Sequence, residues 1–146
     1  MPNPTEMLYG IQQFFKCYEK QINRTAAHYQ LTATELNILL FLANHPELDT
    51  ARDIVERRGL PKSCVSRAVD SLIRQGFLES REDKNDRRIL HLSILPAAAG
   101  LTKDVQLTQQ KFLSRMYQNF TPEECRLHEK LSKKLLDNIL SEKCGE

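Results

Sequence analysis

A mainly α-helical fold carrying one small β-hairpin is what this sequence predicts. Three observations lead there. Leu, Lys, Glu and Arg dominate, with only 5 Gly and 6 Pro in 146 residues, a composition that favours helix. Apolar residues recur at steps of three and four along most of the chain, the period of a helix face. That period switches to two over one stretch, residues 77–94, where two strand-like runs flank the heptapeptide EDKNDRR.

Taken in order, residues 5–29 place Leu8, Ile11, Phe14, Phe15, Tyr18, Ile22, Ala26 and Tyr29 on one helical face. In LTATELNILLFLANHPE, Thr32 is the expected N-cap with Glu35 three residues on. Leu36, Leu39, Leu40 and Leu42 make that helix apolar nearly all round, hence central, and Pro46 ends it. Thr50 caps a short third helix, Ile54 and Val55 face inward, and Gly59 supplies its stop. Pro61 opens a fourth helix with Val65, Val69, Leu72 and Ile73 as its buried stripe and Gly76 at its end.

Two short helices joined by a tight Gly-containing turn are a helix-turn-helix pattern. The outer face of the second carries Lys62, Ser63, Ser66, Arg67, Asp70, Ser71 and Arg74. Short hydrogen-bonding groups mixed with cations suit base edges and phosphates; a solvated helix face is the plain alternative. Phe77–Arg81 and Arg88–Ile94 then read as strands, with Leu90, Leu92 and Ile94 on one face and Ile89, His91 and Ser93 on the other. A helix-turn-helix followed by a hairpin with a charged tip is a winged helix. Its second helix can enter a major groove while Arg87 and Arg88 reach the minor groove. Lys84 belongs to the same tip, and Asp86 is placed to fix an arginine rotamer.

Pro96 starts a further helix, and Thr121-Pro122-Glu123-Glu124 begins a last one with apolar residues at Leu127, Leu131, Leu135, Leu136, Ile139 and Leu140. The organisation expected is a single domain over residues 1–146. A winged-helix lobe spans about 31–95, and long helices at about 1–30 and 96–146 have too much apolar surface for so small a core. Two-fold dimerisation would cover it and set two recognition helices about 34 Å apart.

Charge alone says little. The net charge is +2, and residues 31–92 hold ten Lys and Arg against ten Asp and Glu. That balance keeps a protein-interaction winged helix without a DNA role as the alternative function. Nothing suggests an enzyme: there is no Gly-rich phosphate loop, HExxH or GxSxG. The N-terminus lacks a basic segment followed by an apolar run, and no stretch has the length of an apolar membrane span, so a cytoplasmic protein is expected. The four Cys (17, 64, 125 and 144) form no CxxC and are expected as free thiols. Cys64, in a first helical turn beside Lys62 and Arg67, is a candidate for a thiol switch, as is Cys17. Cys125 and His128, three apart on a helix, would hold a metal only if two of His28, His45, His91 or Cys144 approached. No metal and no cofactor are expected.

The run from about Leu31 to Gly100 resembles the MarR family of bacterial transcriptional regulators. The resemblance rests on LTATELNILLFL, on DIVERRGLPKSCVSRAVDSLIRQGFLESRED, and on NDRR before an alternating strand. The order GL-x-K-S-x-V-S-R, L-x-x-x-G-F-L and D-x-x-D-R-R is specific as a combination. It implies a homodimeric winged-helix repressor, in some members an activator, that binds pseudo-palindromic operator DNA and responds to a small aromatic, often phenolic, or anionic effector or, in some members, to metal or Cys oxidation. It puts DNA contacts on Ser63, Cys64, Ser66 and Arg67, and on Asp86, Arg87 and Arg88 of the wing. It also implies an effector pocket between the dimer helices and the DNA-binding lobe. Phe14, Tyr18, Phe41 and His45 are the candidates there, with Phe15 and Tyr29 nearby, and core packing is the alternative for each. Two departures stand out. Ile94-Leu95-Pro96-Ala97-Ala98 replaces the usual Leu-Thr-x-x-Gly, and Cys64 stands where a Thr or another small residue is common.

Overall fold

The computed structural model describes residues Met1–Lys143. Six helices and one hairpin follow in the order α1 (Pro4–His28), α2 (Ala33–Asn44), α3 (Ala51–Arg58), α4 (Lys62–Arg74), β1 (Leu78–Glu82), β2 (Leu90–Ile94), α5 (Pro96–Met116) and α6 (Pro122–Lys143). This is the winged helix-turn-helix, flanked by long helices, that the sequence predicts. The chain divides into two compact units, Met1–Thr108 and a second beginning at Gln109. Among the described residues no helix is long and apolar enough to cross a membrane.

The helix boundaries have local causes. Thr32 Oγ1 accepts the Glu35 amide N–H at 3.1 Å, and its hydroxyl donates to the Glu35 carboxylate. Thr50 and Asp53 form a full capping box, each side chain accepting the other's orphan backbone N–H. Thr121 and Glu124 do the same at the start of α6. Gly59 ends α3 at φ 63°, a left-handed conformation that costs a side-chain-bearing residue about 1 kcal/mol or more.

Within the first unit the core gathers around α2, which packs on α1, α4 and β2, while α3 packs on α4 and β2. Leu36, Ile38, Leu39, Ile54, Leu72 and Leu78 are the largest side chains fully buried there. Each contributes about 1.5–3 kcal/mol by leaving water. The stripe expected on α4 is buried, with Ala68 added to Val65, Val69 and Leu72, and Ile73 only partly covered. On α1 the apolar face divides. Ile22 and Ala26 enter the core, whereas Leu8, Ile11, Phe14 and Phe15 stay exposed.

The hairpin differs from expectation at its edges. Its register runs from Leu78 opposite Ile94 to Glu82 opposite Leu90. Arg88 and Ile89, expected in the second strand, lie before it. The Ile89 N–H bonds the Asp86 carbonyl at 3.0 Å and closes a turn on Arg87 and Arg88, so the ladder begins only at Leu90. Leu90, expected on the covered face with Leu92 and Ile94, is exposed because it sits at the tip end of the ladder. The segment between α2 and α3 adds a pairing that the alternation did not indicate. Thr50 bridges His91, and the Leu92 N–H donates to the Asp49 carbonyl at 2.8 Å.

Candidate nucleic-acid interface

Three residues, Gly59 to Pro61, separate α3 from α4, which gives the tight turn of a helix-turn-helix. On α4, Lys62, Ser63, Ser66, Arg67, Asp70 and Arg74 are exposed, opposite Val65, Val69 and Leu72. Cys64 is half-buried, on the flank of the helix rather than its outer face. Ser71 is also half-buried and accepts a hydrogen bond from the Gln75 amide at 3.1 Å. That amide also donates to the buried Glu35 at 2.9 Å and ties the end of α4 to α2.

The start of α4 differs from those of α1, α2, α3 and α6. α1, α2, α3 and α6 each begin with a side-chain cap and an acidic residue in the first turn. α4 has neither: Pro61 precedes it with no side-chain cap, and Lys62 is its first residue. Its first-turn amide N–H groups keep their partial positive charge for an outside acceptor, the arrangement that suits a phosphate oxygen.

Side-chain chemistry shapes the wing tip. Asp83 Oδ2 accepts the amide N–H of Asn85 at 2.9 Å and of Asp86 at 3.1 Å, so one carboxylate folds the first half of the tip. Asp86 then accepts three bonds from Arg88: its backbone N–H at 3.0 Å, Nε at 3.1 Å and a terminal guanidinium nitrogen at 3.1 Å. The two side-chain bonds form the fork that arginine makes with a carboxylate. Arg88 holds the Asp86 carboxyl below the usual carboxylate range, and Asp86 in turn raises Arg88. Bonds from His91 and from those two backbone N–H groups likewise lower Asp83. Arg87, central in the same turn, is exposed and has no ion pair among the described residues, and Lys84 is exposed beside it. The two arginines thus differ: Asp86 orients one, and the other points free.

The other candidates are placed more loosely. Phe14 stacks on Tyr18 along α1, and Phe41 packs on His45 at the end of α2, so the four pocket candidates fall into two pairs. Phe41 is 5% exposed and belongs to the core, while His45 lies 3.6 Å from Glu47. Tyr29 donates its hydroxyl to Asp104, which pushes its pKa up. Cys17, Cys64 and Cys125 are free thiols, Cys17 exposed and the other two half-buried. His128 faces the Tyr117 hydroxyl at 2.9 Å. Among the described residues no group of three His, Cys, Asp or Glu is arranged to hold a metal ion. Cys144 lies outside the described residues.

Sequence reasoning missed His91 as part of the wing's support. It bonds Asp49 and Asp83, 42 and 8 residues away along the chain. The available signal was its place on the strand face opposite Leu92, beside an Asp-rich tip.

Residues 29–89 match the MarR family model. The transcriptional regulator PapX of Escherichia coli is 26% identical over 84 residues, 58% of this chain and 51% of that protein. The chain thus spans about half the length of that relative. The transcriptional regulator AdcR of Streptococcus pneumoniae is 24% identical over 125 residues, 84% of each chain. In structure, a MarR family regulator of Listeria monocytogenes, solved in complex with a 26mer DNA, superposes with a TM-score of 0.82 at 17% identity, over 97% of this chain and 92% of that one. A MarR family regulator of Silicibacter pomeroyi gives 0.79 at 20% identity, over 91% and 89%. Residues 29–89 thus match the MarR family, and the helix-turn-helix, the wing and the flanking helices share the fold of solved MarR family regulators.

Proposed function

We propose that this chain is a non-enzymatic transcriptional regulator that binds double-stranded DNA as a homodimer, on a pseudo-palindromic operator, and acts as a repressor. The observation that carries the reading is the pairing of an uncapped, polar-faced α4 with a wing turn that projects Arg87 and Arg88. In this reading Ser63, Ser66 and Arg67 read base edges. Lys62, Arg74, Lys84 and the open amides of α4 take phosphates. Arg87 enters the minor groove, and Asp86 holds Arg88 for the adjacent backbone. Cys64 contributes at the margin, since it is half-buried. Binding DNA places the protein in the cytoplasm.

The dimer in this reading forms through apolar surface left exposed on α1 and on α6, Leu8, Ile11 and Phe15 on the first and Leu127, Leu131 and Leu135 on the second. A small aromatic or anionic effector would act by its different affinity for two arrangements of the dimer. Of the four pocket candidates, Phe14, Tyr18 and His45 offer surface to such a ligand, whereas Phe41 is committed to the core.

The test is fluorescence anisotropy of the protein on DNA from its own upstream region, over a salt series. Binding should weaken steeply with salt, and Arg87→Ala with Arg88→Ala should flatten the slope by about 0.9 for each phosphate no longer neutralised. A steep slope unchanged in the double variant removes the wing from the interface. Binding that is absent here and on genomic fragments, or indifferent to salt, favours the second reading, a protein-interaction winged helix. One observation supports that reading: residues 31–92 are electrically balanced.

A further inference from the structure

At the root of the wing one imidazole faces two carboxylates. His91 Nδ1 lies 2.8 Å from Asp49 Oδ1, and its Nε2 lies 2.8 Å from Asp83 Oδ1. The three residues come from separate places: the segment between α2 and α3, the start of the wing tip, and β2. An ionised carboxylate only accepts hydrogen bonds, and a neutral imidazole donates from one nitrogen alone. A neutral His91 would therefore satisfy one aspartate and turn a lone pair toward the other. An imidazolium donates from both nitrogens. Two contacts of this length to two carboxylates are the contacts of the protonated ring.

We propose that His91 is a positioning residue for the wing and that its proton is the latch. With the proton, the ring ties the wing tip, through Asp83, to the helical body, through Asp49. Without it, the ring keeps Asp49 and releases Asp83. The backbone decides which arm lets go. Thr50 bridges His91, and the Leu92 N–H holds the Asp49 carbonyl, so Asp49 and the ring stay together in either state. Asp83 already accepts the N–H groups of Asn85 and Asp86 through its other oxygen and keeps those partners without the ring. Movement at Asp83 passes directly to those two amides, and Asp86 is the residue that holds Arg88.

The charges around the ring favour the proton. Asp49 and then Asp83 raise the His91 pKa by accepting its hydrogen bonds. From α3, Asp53 is engaged by the Thr50 hydroxyl at 2.8 Å and its N–H at 3.1 Å. From β1, Arg81 sits directly opposite His91 in register, but its exposed guanidinium is drawn to Glu79 at 3.6 Å. On the tip, Asp86 is neutralised by Arg88. Nothing in the latch depends on what the wing touches, so it stands or falls separately from the DNA reading.

The test is an NMR titration of the full chain, without DNA, from about pH 5 to 9. It follows the His91 ring, assigned through its loss in H91Q, and the backbone amides of Asn85 and Asp86. The expected result is a ring midpoint above the ordinary value of about 6.5, with both amides moving at that same midpoint. In D83N the side-chain amide can donate to a neutral ring, so the ring midpoint should fall and the Asn85 and Asp86 amides should lose their pH dependence. A ring midpoint at or below the ordinary value overturns the proposal. So do amides that stay still while the ring titrates. The wild-type titration and D83N keep the question decidable if H91Q does not fold.

Discussion

Two regions of this chain place leucine on helix faces to different ends. On α2 and α4, Leu36 and Leu72 are completely buried within the first unit. On α6, Leu127, Leu131, Leu135 and Leu136 recur at helical spacing, yet each keeps 50% or more of its surface exposed. An apolar stripe says that a helix face leaves water; it does not say which chain covers it. In α2 and α4 the cover is present in the same chain. On α6 the stripe calls for apolar cover from elsewhere, and the proposed dimer is the arrangement that supplies it.

The sharpest way to break this contrast is to charge the exposed stripe. Leu131→Glu with Leu135→Glu should leave the helical far-UV signal near that of the wild type. It should weaken self-association by at least about 100-fold, as removal of central interface anchors does. Sedimentation velocity reads the result as a shift from twice the 16.9 kDa chain mass to the chain mass itself. A wild type that sediments as a monomer, or a double variant that stays dimeric, removes α6 from the interface. Loss of the helical signal in the variant would instead assign the stripe to the fold of the single chain.

Alanine substitutions sharpen the same contrast at a smaller scale. Leu36→Ala should cost about 2–5 kcal/mol, because a closed core relaxes only partly around the missing atoms. Leu127→Ala, measured by urea denaturation at a concentration that keeps the protein monomeric, should cost no more than about 0.5 kcal/mol. Equal costs at the two sites would mean that the exposed stripe is already structural in the monomer.

What was legible in the sequence follows from how far each signal reaches along the chain. Thr32, Thr50 and Thr121 were readable as caps because a cap and its partner lie three residues apart. Gly59 was readable as a stop because a left-handed residue after a helix favours glycine. The buried stripe of α4 and the hairpin were readable from their periods. The start of β2 was not, because Asp86 closes the turn on Arg88 through side-chain bonds that interrupt no alternation. The pairing of Thr50 with His91 is a single bridge between distant segments and has no period at all. Among the candidate site residues, exposure separated Ser63, Ser66 and Arg67 from Cys64, which family position alone had grouped together. The division of labour between Arg87 and Arg88 needed coordinates, since two adjacent arginines look alike in a sequence.

The smallest expected effect lies where the winged helix is held by charge rather than by leucine. The sign follows from the direction of the shift. Asp49 and Asp83 raise the His91 pKa in the folded chain, so the folded state binds that proton more tightly than the unfolded state, where the ordinary value is about 6.5. The stabilisation is fully present below that ordinary value and fades as pH rises through the higher folded one. Asp83 and Asp86, both lowered in the fold, behave oppositely: their contribution is present above the ordinary carboxylate range and is lost on acidification. Between these limits the wing has its best electrostatic support. Thermal melts of wild type and H91Q should therefore differ most just below neutrality and converge as pH is raised past the folded His91 value. The gap should stay small because the ring is 38% exposed and solvent screens it. A gap that is constant across that range would mean His91 supports the hairpin by packing and strand pairing alone. The wing would then be held, like α2 and α4, by contacts indifferent to pH.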